Sequence, residues 1–160
     1  MFITPALVKK AAAWAQGMYA LASMSGKPLS PDGLTIARAV GVQHPERIRV
    51  MRVLAMPRPE DTDLREAAKR YQLLGPGTIG LALGYAVFVR RGHVNDALFA
   101  HEFRHVHQFE ALGSLESYLT TYFAQLIAHG YIDALMEQDA REAAEPFEQA
   151  DEQNQLGRSL

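Results

Sequence analysis

The segment ALFAHEFRHVHQFEALG, residues 97–113, carries three of the chain's six histidines, and His101 and His105 stand four residues apart with Glu102 between them. Its apolar residues recur at helical spacing, Asn95 or Asp96 precedes it as a cap and Gly113 closes it, which predicts a helix. Residues four apart share a helix face, so both imidazoles can point at one metal ion. Glu102 is turned by ~100° from His101. It can therefore reach a water on the metal without being a ligand, and take that water's proton as a general base. The chain contains no cysteine, so any metal must be held by His, Asp or Glu. His107 lies ~120° or more from the His101–His105 face and reads as a polar surface or second-layer residue. Gln108 shares the metal face, where it can support a ligand, line a cleft or simply pack.

With 6 His and 11 Glu in 160 residues, chance produces the HExxH pattern roughly 0.015 times in such a chain. The motif alone is thus open to false positives, and context has to count. The context is a capped, strongly patterned helix that closely follows a predicted strand pair.

A tetrahedral catalytic zinc site takes three protein ligands and leaves one position open. Gln108 and Ala111 occupy the positions where an extended HExxHxxGxxH motif has Gly and His. No Glu occurs between Ser117 and Met136, which excludes a ligand some twenty residues on. His129 falls at a helix end. The remaining supply is acidic: Glu137, Asp139, Glu142, Glu145, Glu148, Asp151 and Glu152.

Elsewhere, Thr4-Pro5 and Ser30-Pro31 are helix starts, a capping side chain followed by a proline in the first turn. Ser25-Gly26 and Gly41 end those two helices. RIRVMRVLAM (residues 47–56) is β-branched and partly alternating, as a strand would be. LREAAKRYQLL (residues 64–74) predicts a helix. GPGTIGLALGYAVFVRRG (residues 75–92) predicts a hairpin, with Ile79, Leu81 and Leu83 alternating in one arm and Tyr85, Val87 and Val89 in the other; Gly84 serves the turn. Ser114 starts a helix with a wide apolar face that Gly130 closes. A last, acid-rich helical stretch meets Pro146, which breaks it or begins a new helix. The expectation is one α+β domain: a helical part with one strand over 1–75, then hairpin, HExxH helix and C-terminal helices over 76–152, then a polar, fraying tail over 153–160.

The formal charge of −2 divides unevenly: residues 1–91 hold 13 Lys and Arg against 6 Asp and Glu, whereas residues 92–160 hold 3 against 12. A basic half could meet nucleic acid. The Arg residues are scattered, however, no basic run exceeds two, and no nucleic-acid-binding motif is present. Docking of the two halves on each other is the favoured reading. No export signal or membrane-length apolar run is apparent, so a cytoplasmic protein is expected.

The run VFVRRGHVNDALFAHEFRHVHQFEALG resembles the core of zincin-like metallopeptidases of the gluzincin type. It is most similar to small, uncharacterised bacterial HExxH-x-x-Q proteins. In these a strand like AVFVR precedes the HEFRHVHQ helix; a second helix, a Gly-Tyr pair and a Pro-x-Glu segment follow. Here the pair is Gly130-Tyr131 and the segment is Pro146-Phe147-Glu148. The resemblance covers about residues 78–151. It implies a zincin-like fold with a small antiparallel sheet of about three strands packed on the HExxH helix. It also implies zinc held by His101, His105 and Glu148, with Glu102 as the general base; Glu145 is the rival to Glu148, because the stretch from Tyr131 to Pro146 is longer and more helical than the family pattern.

The implied activity is zinc-dependent hydrolysis of a peptide or related amide bond, with a peptide or protein substrate. The alternative is a non-catalytic, metal-stabilised protein-interaction module of the same fold. Tyr131, Tyr122 and His129 are candidates for stabilising an oxyanion. The Tyr85–Arg90 strand is a candidate edge for an extended peptide.

Overall fold

Among the described residues the chain forms six helices and three short strands, and side-chain caps start most of the helices. In the computed structural model, which describes residues 3–158, the order is α1 (Pro5–Ser25), α2 (Pro31–Ala39), a 3-10 turn (Pro45–Arg47), β1 (Arg49–Val53), α3 (Thr62–Arg70), β2 (Gly80–Leu83), β3 (Ala86–Arg90), α4 (Asp96–Leu112), α5 (Leu115–Asp133) and α6 (Leu135–Arg158). Thr4, Ser30, Asn95 and Ser114 each accept a backbone N–H from the first turn of the helix that follows, satisfying donors the helix itself leaves open. Asn95, not Asp96, is the cap of α4. Gly113 ends that helix in the left-handed region, at φ 82°, where a side chain would be strained.

The α+β class is as expected, but the sheet is mixed rather than antiparallel. Its order is β1-β3-β2, with β1 parallel and β2 antiparallel to β3. The long connection through α3 and β2 permits the parallel pairing, which a tight hairpin could not make. β3 is therefore central, with partners on both sides, and cannot serve as a docking edge. The edge strands are β1, bridged at Val50 by Lys27, and β2. The β3 side chains alternate between two cores. Ala86 and Phe88 face Leu7, Val8, Ala11 and Leu119, whereas Val87 and Val89 face Ile36, Ile48, Phe103 and Val106. A strand buried on both faces reads as the continuous apolar run AVFV. The two oppositely charged halves of the chain meet through these apolar layers.

Two helices differ from the sequence-based expectation. α3 ends at Arg70 rather than Leu74, because Gln72 and Leu74 both adopt positive φ. α6 continues through Pro146 and carries the expected polar tail as helix to Arg158. α4 packs between β2, α2, α5 and α6. No helix among the described residues is long and apolar enough to cross a membrane.

Candidate metal centre

The two histidines of α4 meet a third donor from α6, and that donor is Glu137. Ligand atoms of His101, His105 and Glu137 all lie within 4.8 Å of one another, and these residues form a group that could hold a metal ion. The Nε2 atoms of His101 and His105 are 3.2 Å apart. Glu137 Oε2 lies 3.4 Å from His101 Nε2, and Oε1 lies 3.4 Å from His105 Nε2. Zinc bonds of about 2.0–2.1 Å arranged tetrahedrally place neighbouring donors about 3.3 Å apart. The two imidazole nitrogens are thus spaced as two ligands of one such tetrahedron, and each has a different Glu137 oxygen at a comparable distance. Glu137 Oε2 is also buried without a hydrogen-bond partner, a costly state for a carboxylate oxygen that a cation would relieve.

The surrounding hydrogen bonds hold these donors in place. His105 Nδ1 is 2.8 Å from Gln108 Oε1. An amide oxygen can only accept, so Nδ1 carries the proton and a neutral His105 directs its Nε2 lone pair into the cluster. Gln108 is oriented in turn because its amide nitrogen donates to Met136 O and Asp139 Oδ2 at 2.9 and 2.7 Å. Asp139 receives a two-point bond from Arg104, and Arg104 also donates to Val40 O at the end of α2. This chain locks α4, α6 and α2 around the ligand. Supporting partners of this kind fix imidazole orientation in metal sites.

Electrostatics follow from the same geometry. Burial alone would raise the Glu137 pKa, but the two imidazoles beside it and the Tyr122 hydroxyl hold it well below the carboxylate range. Burial works against the charged form of His105, yet Glu137 and Glu102 outweigh it and raise the pKa to about 9. Burial raises the Glu102 carboxyl above its ordinary range, opposed by the two imidazoles.

Glu102 stands outside the donor group. Its carboxylate is pressed against β2: a Cβ on Gly80 would fall 2.1 Å from Glu102 Oε1. Only glycine leaves room for that carboxylate at this strand position.

Glu148 does not join the cluster; it is exposed and lines a neighbouring polar cleft. The reason is the continuity of α6. Glu148 follows Glu137 by eleven residues of one helix, about 16 Å of rise. A glutamate reaches a metal about 7 Å from its Cα, so the two carboxylates cannot serve one ion. The expectation of Glu148 came from matching Pro146-Phe147-Glu148 to the Pro-x-Glu segment of the resembled family, and here that segment lies inside one continuous helix. Glu145 is exposed on the same helix.

The remaining sequence candidates separate clearly. Tyr122 donates its hydroxyl to Glu137 Oε1 at 2.7 Å and is thereby committed to the cluster. Tyr131 lines the two cavities that meet at Glu102, carried there by the turn at Gly130, whose φ of 77° breaks α5. His129 is exposed. His107 hydrogen-bonds Gly41 O at 2.8 Å, docking α4 on the end of α2 as a second-layer residue.

Sequence reasoning passed over Glu137 among seven candidate acids. One signal could have found it. Ala140 and Ala144, three and seven residues on, are buried, so Glu137 lies in phase with an apolar stripe where a solvated acid does not belong.

Compared with known proteins, the sequence matches no family model, and neither a curated protein nor a solved structure matches it.

Proposed function

We propose that this chain is a zinc-dependent metallohydrolase acting on peptide or related amide bonds. His101, His105 and Glu137 hold the ion and Glu102 acts as general base. The observation that carries this reading is the convergence of two imidazole nitrogens 3.2 Å apart with the buried Glu137, beside a second buried carboxylate that is not one of these donors. A zinc ion bound there supplies a Lewis acid that acidifies water and polarises a carbonyl. Glu102 takes the proton of the attacking water and returns it to the leaving nitrogen. Tyr131 remains a phenol donor, because burial and the Glu137 charge raise its pKa, and its hydroxyl serves the developing oxyanion.

The edge strand β2 fits an extended substrate. Arg90 N–H donates to Ile79 O, and antiparallel bonding alternates along a strand. Leu81 and Leu83 therefore bond to β3, which leaves the backbone groups of Gly80 and Ala82 on the outer edge. A peptide laid there gains main-chain hydrogen bonds beside Glu102.

Glu102→Gln tests the reading, since glutamine keeps size and polarity but cannot accept the proton. Wild type should retain zinc and cleave a peptide library; the variant should retain zinc and cleave about 100- to 10,000-fold more slowly. Equal cleavage by both removes Glu102 from the mechanism. Zinc retention without cleavage by wild type assigns the chain instead to a non-catalytic, metal-stabilised interaction module.

A further inference from the structure

We infer that the site selects substrates carrying a bulky apolar side chain next to the scissile bond, an inference that rests on the hydrolytic reading above. Two cavities meet at His101, Glu102, Gly80 and Tyr131. One, of about 330 Å³, runs from the metal cluster between α1, α3, α5 and β2. Its walls include Leu7, Trp14, Leu64, Leu81, Leu119 and Phe123. Among the described residues, the only carboxylates and imidazoles lining it are Glu102 and the three cluster residues. The other cleft, of about 500 Å³, is polar, with Arg141, Glu148 and Asp151 in its walls.

The reacting group thus sits where an apolar chamber opens onto a polar one. The apolar chamber has about twice the volume of the ~150 Å³ cavity that admits benzene, so a phenylalanine, leucine or tryptophan side chain fits. Beyond the cluster at its mouth, among Leu7, Trp14, Leu64 and Phe123, a lysine or glutamate side chain would leave its charge without a partner, which is expensive away from water. The chamber's rim is held in an unfavourable backbone conformation. Gln72 and Leu74, both in the lining, adopt φ of 57° and 54°. Non-glycine residues seldom adopt such angles, and strained backbone of this kind clusters at binding sites.

The chain carries its own reporter, because Trp14 is its single tryptophan and lines the chamber. Metal-free protein is titrated with the N-acetyl amides of phenylalanine, leucine, alanine and lysine while Trp14 fluorescence is followed. Phenylalanine and leucine derivatives should perturb Trp14 and bind about 10- to 100-fold more tightly than the alanine and lysine derivatives, from the apolar area they bury. Ala68→Phe and Ala11→Phe, each introducing a ring from a different wall, should abolish that preference in a folded protein, as judged by circular dichroism. Equal affinity across the four probes, a silent Trp14, or wild-type binding by both folded variants overturns the inference. Zinc content, measured separately, reports on the metal centre alone, so failure of that reading is distinguishable from failure of this one.

Discussion

Replacing Glu137 with alanine removes the one acidic donor of the cluster, and the size of the effect can be bounded from the site. Partners that only support a metal ligand typically contribute 10–100-fold to affinity. Glu137 offers its own oxygens 3.4 Å from both imidazoles, so its loss should exceed the upper figure. The expected loss of zinc affinity is more than about 100-fold, or at least about 2.8 kcal/mol. Glu148→Ala removes an exposed carboxylate too far along α6 to share the ion, and exposed charge pairs contribute up to about 1 kcal/mol, so the expected change is about fivefold at most. Zinc affinity is read by competition with a chromophoric chelator. Thermal unfolding in excess chelator, compared among wild type, Glu137→Ala and Glu137→Gln, separates lost ligation from lost folding. Near-normal zinc affinity in folded Glu137→Ala, with strong loss in Glu148→Ala, would refute the assignment and with it the continuity of α6 through Pro146.

Gln108→Leu should weaken zinc retention about 10- to 100-fold, because it leaves the His105 Nδ1–H without its acceptor; unchanged affinity in the same chelator assay would reduce Gln108 to packing. Gly80→Ala should retain zinc yet lose at least about 100-fold in hydrolysis, since the new methyl collides with Glu102 Oε1; wild-type turnover would show that Glu102 is not held where the base must act. Tyr85 is buried beside Glu110, and both burial and that carboxylate raise its pKa from 10.0 to about 12. The folded state then binds more protons than the unfolded one across this window, so stability should fall as pH rises from 10 to about 12. Tyr85→Phe should make that fall shallower; identical pH–stability curves would show that Tyr85 titrates alike in both states.

Local signals in the sequence were sufficient for most of the helix starts. Thr4, Ser30, Asn95 and Ser114 act through their own backbone neighbours, and so do the stops at Gly113 and Gly130. The pairing of His101 with His105 is equally local, because four residues on a helix make one face whatever the helix packs against. The placement of Glu102 beside that pair follows from the same periodicity. A helix terminus such as Arg70 was harder to read, since apolar spacing persists to Leu74 while the backbone turns left-handed at Gln72 to wall the cavity.

Tertiary packing alone decided the rest. The partners of β1, β2 and β3 depend on which strands two separate apolar layers bring together, so the mixed sheet and the edge position of β2 were not written in any single segment. The third donor depended on how α6 lies against α4. Arg104–Asp139 and Gln108–Asp139 fix that packing, and they place the first turn of α6, with Glu137, at the imidazoles. Pro146 reads locally as a break because it lacks an N–H, but proline removes only one helical bond, and α6 runs on through it. Which of seven acids meets the histidines is a question about the distance between two helices far apart in sequence, and only the folded chain supplies that distance.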